Sequence, residues 1–375
     1  MDKIGLYVHV PFCAKKCPYC DFYSQDYRKA DADRYVNAVI LRMRQFAAHG
    51  CEADTLYFGG GTPSLLSPGQ IGRIVEEARA RFSLCGEVSM EANPNTLNEA
   101  RLIALRESCI NRLSVGVQSF DEQELTALGR RHSAEQAKEA IRAAKRAGFD
   151  DISLDLMLGV PYQTEESLQR TLETAVSLPV THISAYMLKV EEATPYNGSP
   201  LLAHCPDEEK LAQMYLQTVQ TLAQHGFLQY EISNFAKEGY QSRHNLKYWK
   251  EEPYFGIGAA AHSCFAGKRF ASVPSLESFC TAAENGDFSD IELLEADAQT
   301  DEERLMLGLR LAEGVLREEM MNAVLPRKRR QAEMFLRRLC ESGLAADDGE
   351  KVRLTAEGFL VSNEILAELL LFCEE

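Results

Sequence analysis

Three cysteines stand close together in the sequence, at Cys13, Cys17 and Cys20, directly after a short apolar run. Three thiolates on one short loop can bind three irons of a [4Fe–4S] cluster and leave the fourth iron without a protein ligand. An iron with an open position can chelate a small molecule. A structural zinc ion is the alternative, but such sites normally have four Cys or His ligands. The spacing therefore favours a [4Fe–4S] cluster, and the cysteines scattered elsewhere are expected to be small buried residues.

A glycine-rich stretch over residues 59–63 follows the second apolar run. Three glycines in succession let a backbone come within hydrogen-bonding distance of a ligand, because no Cβ atom stands in the way. The stretch lacks the Gly-Lys-Ser/Thr that completes a phosphate-binding P-loop. A plain turn is the alternative for this motif alone, but beside the cysteine loop it indicates a ligand-binding site.

Polar residues recur at or near the ends of successive apolar runs, at Glu91, Gln118 and Asp155. Side chains at the carboxyl ends of parallel strands meet on one rim of a barrel. Two carboxylates and an amide on such a rim suit a ribose diol or the edge of an adenine. Each of these residues alone could simply cap the next helix, so the prediction rests on the three together.

Six strand–helix units are expected to position these residues. The predicted strands are rich in Ile, Leu, Val or Tyr, as buried parallel strands are, and cover residues 4–9, 55–58, 87–91, 112–117, 151–157 and 181–188. Capping-box patterns at Ser67 with Gln70 and at Ser133 with Gln136 mark two helix starts. Parallel neighbours need helical crossovers, and right-handed crossovers curl six units into a partial (β/α)6 barrel of the α/β class. A flat, doubly wound sheet is the alternative.

The chain is predicted to contain three parts. Residues 1–195 form the partial barrel, and residues 196–289 extend it, with a long helix over 207–224. Residues 290–375 turn helical and charged, with two short strands over 344–354 and a final helix from Thr355. Helices followed by a small hairpin predict a winged-helix-like C-terminal domain.

Composition excludes several classes of protein. The chain has 375 residues, 45% of them hydrophobic and 26% charged, which is typical of a globular protein with a substantial core. Its net charge of −16 argues against a nucleic-acid or anionic-membrane surface as the dominant feature. Acidic residues around the expected hairpin argue against DNA binding there, so no nucleic-acid partner is predicted. No export signal or membrane-spanning run is visible, and we expect a cytoplasmic protein.

These motifs together resemble the radical S-adenosylmethionine (SAM) superfamily and, within it, the oxygen-independent coproporphyrinogen III oxidase family. The similar stretches are YVHVPFC, CPYCDFYS, YFGGGTPS, SMEANP, RLSVGVQSF and LDLMLGVPYQT. The resemblance implies that the three cysteines bind a [4Fe–4S] cluster whose open iron binds SAM, which that superfamily cleaves to a 5′-deoxyadenosyl radical. Residue by residue, the family's SAM-binding pattern falls on Tyr7, Tyr19, Gly60, Gly61, Thr62, Glu91, Gln118, Arg130 and Asp155.

Two subgroups share these motifs, and the chain differs from the oxidases at three points. The oxidases carry a further cysteine two residues beyond the third ligand, where this chain has Phe22. They also have a longer N-terminal extension than the 12 residues that precede Cys13. The third difference is HNLKYW at 244–249, which resembles the HNxxYW motif of the haem chaperone subgroup, HemW.

The HNLKYW stretch is chemically suited to haem. A neutral imidazole is a common axial ligand of haem iron, which makes His244 the candidate ligand. Tyr248 and Trp249 offer flat apolar faces for a porphyrin, and Arg243 and Lys247 could pair with its propionates. The alternative is that His244 caps a turn and the aromatic side chains pack locally.

The resemblance implies a haem chaperone that binds haem and delivers it to respiratory haem proteins, on a scaffold that also binds a [4Fe–4S] cluster and SAM. Anaerobic decarboxylation of coproporphyrinogen III to protoporphyrinogen IX is the alternative function. The resemblance further implies a homodimer and a transient association with the membrane.

Overall fold

A computed structural model describes residues 3–373 of the chain. The region that holds the predicted barrel consists of β1 (Ile4–Val10), β2 (Phe12–Cys13), β3 (Gln25–Asp26), α1 (Lys29–Phe46), β4 (Ala53–Gly60), α2 (Pro68–Phe82), β5 (Glu87–Ala92), α3 (Glu99–Glu107), β6 (Arg112–Gln118), α4 (Glu122–Ala127), α5 (Ala134–Arg146), β7 (Asp151–Leu158), α6 (Glu165–Ser177) and β8 (His182–Met187). All six predicted strands are present to within two residues at either end.

Six parallel strands form the wall of a partial barrel in the order β1-β4-β5-β6-β7-β8. This order follows the chain without a reversal, whereas a doubly wound sheet turns back on itself at a switch point. The partial barrel is therefore confirmed and the flat alternative is not. The two short strands β2 and β3 pair with each other beside the cysteine loop.

Side chains alternate along each barrel strand, as the pleat of a strand requires. One face carries Leu6, Leu56, Val88 and Leu113, all buried in the main hydrophobic core. Burial of each such side chain contributes about 1.5–3 kcal/mol. The other face carries polar groups that bond to one another between neighbouring strands, such as Ser114 on β6 with Asp155 on β7. A polar lumen inside an apolar shell is the result.

Local signals set several helix starts. Ser67 and Ser133 form the predicted capping boxes with Gln70 and Gln136. A third box, Thr164 with Ser167, begins α6. These side chains accept bonds from backbone N–H groups that have no partner within the helix.

The middle of the chain continues the same sheet on both sides of the barrel. Its elements are α7 (Glu208–Gln224), β9 (Leu228–Gln229), β10 (Asn234–Ala236), α8 (Arg243–Trp249), β11 (Tyr254–Ile257), β12 (His262–Phe265), β13 (Lys268–Ser272), α9 (Leu276–Asn285) and β14 (Ile291–Glu295). Strand β10 pairs with β8, and β11 pairs with β1, so the sheet has twelve strands and ends at β9 and β14. The predicted domain boundaries at 195 and 289 remain predictions.

The C-terminal part forms a small sheet with surrounding helices. It contains α10 (Asp301–Gly308), β15 (Val315–Leu316), α11 (Arg317–Ala323), α12 (Arg329–Glu341), β16 (Ala345–Asp347), β17 (Lys351–Leu354), α13 (Ala356–Leu360) and α14 (Ser362–Leu370). The predicted hairpin is β16 with β17, and Thr355 caps the helix that follows. This arrangement agrees with the predicted winged-helix-like fold. Within residues 3–373, no helix combines the length and apolar character needed to cross a membrane.

Candidate functional site

The cysteine loop lies at the carboxyl end of the barrel strands. Cys13 ends β2, and Cys17 and Cys20 follow in a turn closed by the Cys20 N–H bond to the Cys17 carbonyl, 3.2 Å. The Thr62 hydroxyl lies 3.7 Å from the Cys13 sulfur, and an Arg130 nitrogen lies 3.6 Å from the Cys17 sulfur. Two of the three sulfur atoms therefore each have a polar donor beside them.

The three cysteines lie together at the edge of one cavity. All three are partly exposed and border one cavity of about 480 Å³. In the part of the chain that the structure describes, no three His, Cys, Asp or Glu side chains converge as the ligands of one ion would. Thiolates that bind separate irons of a cluster do not need to converge on one point. Three thiolates suit a [4Fe–4S] cluster, in which they would bind three of the four irons.

The cavity brings together most of the predicted SAM-binding residues. Its lining includes Tyr19, Gly60, Gly61, Thr62, Glu91, Gln118, Arg130 and Asp155. Tyr7 is not among the lining residues. It lies in the barrel interior, where its ring stacks on Tyr57 and His244 with centroids 6.2 and 6.4 Å away.

Gly60, the last residue of β4, and Gly61, which follows it, lie where a side chain would clash with neighbouring residues. A Cβ atom on Gly61 would lie 2.6 Å from the Phe12 carbonyl oxygen. Gly60 has a φ of 104°, and a Cβ there would lie 2.7 Å from the ring of His9. Only glycine fits both positions without displacing Phe12 or His9. The approach of this backbone to a ligand stays a prediction.

Two half-buried carboxyl groups, Glu91 and Asp155, line this cavity. Glu91 accepts hydrogen bonds from the Tyr57 hydroxyl and from the Gly60 N–H, both at 3.1 Å. Burial, followed by the charge of Asp155, raises the pKa of Glu91 to about 8. Burial also raises the pKa of Asp155, which accepts from the Ser114 hydroxyl at 2.9 Å. Near neutral pH the site therefore holds a proton on Glu91, and the two groups can both donate to and accept from a diol.

Arg130 connects the cysteine loop to the cavity wall. It follows α4, and its guanidinium donates to the Asn93 side chain and to the Gly116 carbonyl as well as approaching Cys17. Two residues beyond Gly116, Gln118 has a φ of 71° and accepts from the Tyr186 hydroxyl at 2.9 Å. Arg130 is thus a positioning group and not a solvated helix charge.

The HNLKYW stretch forms the short helix α8 at the other end of the barrel. The His244 side chain is 1% exposed, with Nδ1 2.8 Å from the Thr55 hydroxyl and Nε2 2.8 Å from the Tyr248 hydroxyl. Glu87 accepts from the backbone N–H groups of Arg243 and His244. Burial, followed by the charge of Lys247, lowers the pKa of His244 to about 3, so its imidazole is neutral.

The structure does not present His244 to a ligand, because both ring nitrogens already have partners and the ring is covered. The expected propionate partners are occupied too, since Arg243 and Lys247 pair with Asp54 at 3.3 and 2.9 Å. Trp249 lines a separate recess with Leu311 and Lys351. Local packing of the aromatic residues, the alternative considered above, is the arrangement in this structure.

Sequence reasoning missed several residues of the cavity, among them Tyr57, Asn93 and Tyr186. Tyr57 and Asn93 stand inside the motifs that carry the resemblance, next to residues that were singled out. Tyr186 lies on β8, two residues after the register partner of Asp155. Side-chain alternation on the strands would have identified Tyr57 and Tyr186.

Comparisons with known proteins agree with this geometry. Residues 7–175 match the family model of the radical SAM superfamily. The haem chaperone HemW of Bacillus subtilis is 36% identical, covering 97% of this chain and 98% of that protein. HemW of Lactococcus lactis is 33% identical over 97% of each, and HemW of Escherichia coli is 40% identical over 70% of each.

A solved structure also resembles the chain. Coproporphyrinogen III oxidase (HemN) from Escherichia coli, described as a radical SAM enzyme, superposes with a TM-score of 0.81. The superposition covers 98% of this chain and 90% of that one at 23% sequence identity. At this identity the likeness shows a shared fold.

Proposed function

The chain belongs to the radical SAM superfamily and, within it, to the HemW family, and we propose that it is a haem chaperone that binds haem and transfers it to haem-accepting proteins. The observation that carries this proposal is the match to haem chaperones of two bacteria over 97% of the chain. Phe22 supports it, because the family resemblance implies a cysteine at that position in the oxidases.

Membership of the superfamily implies a [4Fe–4S] cluster and SAM. We assign the cluster to Cys13, Cys17 and Cys20, and SAM to the cavity they border. When bound, the cluster would supply one-electron chemistry to SAM. Glu91 and Asp155 are placed to bond the ribose hydroxyls, and the glycines of residues 59–61 let the backbone approach the ligand.

Haem binding is tested by an anaerobic haemin titration of cluster-reconstituted protein, followed in the Soret region. Saturable binding near one haem per chain is the expected result, together with transfer of that haem to an apo-haemoprotein mixed with it. The absence of saturable binding would overturn the proposal.

The same cavity makes coproporphyrinogen oxidation the second candidate, because the fold is that of HemN. The two functions are separated by incubating the protein with coproporphyrinogen III, SAM and a one-electron reductant. We expect no protoporphyrinogen IX. Turnover of the porphyrinogen without haem binding would favour the oxidase.

We place the protein in the cytoplasm as a homodimer that meets membrane-bound haem acceptors transiently, as the family resemblance implies. The membrane association is checked by co-sedimentation with inner-membrane vesicles, with and without bound haem. The oligomeric state is checked by light scattering during gel filtration. A monomer at all concentrations would contradict the dimer.

A further inference from the structure

We propose that haem lies across the mouth of the cavity, against Phe22 and Met187 and with Lys15 beside a propionate. This inference rests on the proposed function, because it concerns where the cargo binds. It differs from the sequence-based candidate His244, which is covered at the other end of the barrel.

The mouth of the cavity has an apolar side that solvent reaches. Phe22 borders the cavity and is 59% exposed, among the most exposed large apolar side chains of the described residues. Met187 borders the same cavity, at the end of β8. An exposed phenyl ring at the rim of a cavity, beside the cysteine loop, is typical of a binding surface for a flat apolar ligand.

Apolar packing continues below this rim. Tyr19 and Tyr186 border the cavity and pack against a small buried cluster of Leu128, Met157 and Val160, separate from the main core. A flat ligand at the mouth would therefore rest on a fixed wall, which reduces the entropy cost of ordering side chains on binding.

The rim also carries charge suited to a dicarboxylate. Lys15 borders the cavity, is exposed, and forms no ion pair with any described residue. Lys189, on the same rim, pairs with Glu191 at 2.6 Å, and Asp21 adds a negative charge nearby. Lys15 is thus the rim cation free to pair with a carboxylate, and a haem propionate is such a group.

At this site the haem iron would be bound by a sulfur atom. Among the cavity-lining residues of the described chain, histidine occurs once, at His182. Both of its ring nitrogens are engaged, with the hydroxyls of Ser153 at 2.7 Å and Tyr230 at 2.8 Å. Thioether sulfur is an established axial ligand of haem iron. Met187, which borders the cavity and packs half-buried against the main core, is the residue that would provide it. A thioether as the ligand would suit a carrier that must release its haem.

The test is a haemin titration of cluster-loaded, full-length variants against wild type. Phe22→Asp is expected to weaken haem binding at least about tenfold, because it removes an apolar contact worth more than about 1.4 kcal/mol. Its matched control is Leu293→Asp, since Leu293 is equally exposed, at 60%, but lies on β14 away from the cavity lining. Lys15→Glu is expected to weaken binding several-fold, and Lys268→Glu, an exposed cation outside the lining, is its control.

Met187→Leu provides a readout that does not depend on affinity. The substitution keeps the side-chain volume and removes the sulfur, so the Soret maximum of bound haem should shift while the cluster content stays unchanged. An unshifted Soret band would exclude Met187 as the ligand.

The outcomes separate this inference from the proposed function. Wild-type binding that Phe22→Asp and Lys15→Glu leave unchanged would overturn the mouth site and leave the chaperone function standing. Loss of binding in His244→Phe alone, in a variant that retains its folded circular dichroism spectrum, would place haem at α8 instead. Wild-type protein without saturable haem binding would overturn the proposed function itself.

Discussion

The Thr55 hydroxyl and the Nδ1 atom of His244 lie 2.8 Å apart. This contact joins α8 to the beginning of strand β4. His244→Ala would remove it, together with the bond to Tyr248, and leave a cavity. We expect the free energy of unfolding to fall by about 2–4 kcal/mol, measured by urea denaturation.

Asn245→Ala is the control for this variant, because the Asn245 side chain forms no hydrogen bond with any described residue and lies in the same helix. It should change stability by well under 1 kcal/mol. An unchanged stability in His244→Ala would contradict the structural role of this histidine.

The raised pKa of Glu91 predicts the direction in which the stability of the folded protein changes with pH. Its pKa is about 8 in the folded protein, whereas a Glu in an unfolded chain titrates near about 4.3. The folded state therefore binds more protons between these values. The stabilising contribution is fully present below about pH 4 and is lost as pH rises toward 8, at up to about 1.4 kcal/mol per unit.

Glu91→Gln keeps a neutral, hydrogen-bonding group at this position and removes the titration. In protein without SAM, the variant should therefore gain stability relative to wild type as pH rises from 5 to 8. Chemical denaturation at a series of pH values measures the difference. Parallel stability curves would show that Glu91 is ionised in the folded state.

Cys17→Ala tests the cluster assignment. Removal of one of three thiolates should abolish stable [4Fe–4S] assembly, since one further iron would lose its protein ligand. Iron and sulfide are quantified after anaerobic reconstitution. Cys51→Ala, a cysteine outside the cavity lining, should reconstitute like wild type.

Gly61→Ala tests the close approach of the backbone to SAM. The added Cβ would lie 2.6 Å from the Phe12 carbonyl oxygen, so the loop that follows β4 must move. We expect SAM affinity to fall about tenfold or more, which corresponds to about 1.4 kcal/mol. Calorimetric titration with SAM measures this change.

Gly69→Ala is the matched control for that substitution. No atom lies within 4 Å of a Cβ at Gly69, in the first turn of α2. Equal loss of affinity in both variants would mean that the effect of Gly61→Ala is not local.

The barrel could be predicted from sequence because its signals are local. Apolar runs such as β1 and β7 are seven and eight residues long, and serine caps mark the helices between them. Strands β9 and β10 have two and three residues, too few for a periodic pattern. Their pairing with β8 depends on contacts that no single segment encodes.

The same difference between local signals and long-range contacts applies to the cavity and to α8. The presence of Glu91 and Asp155 in the cavity can be predicted, because both lie at or near the ends of strands that the sequence indicates. The covered position of His244 depends on Thr55 and Glu87, which are more than 150 residues away in the chain. A sequence motif can thus match that of a family without indicating whether its residues are exposed, which only the fold shows.

Helix α8 has one further consequence. It closes the amino-terminal end of the barrel, where Lys247 bonds to the Lys3 carbonyl and Glu87 holds the helix start. Ligands would therefore enter and leave the barrel at the carboxyl end of its strands. A haem bound across the cavity mouth would have to dissociate before SAM bound near Glu91 could leave. The order of loading would then set the order of release.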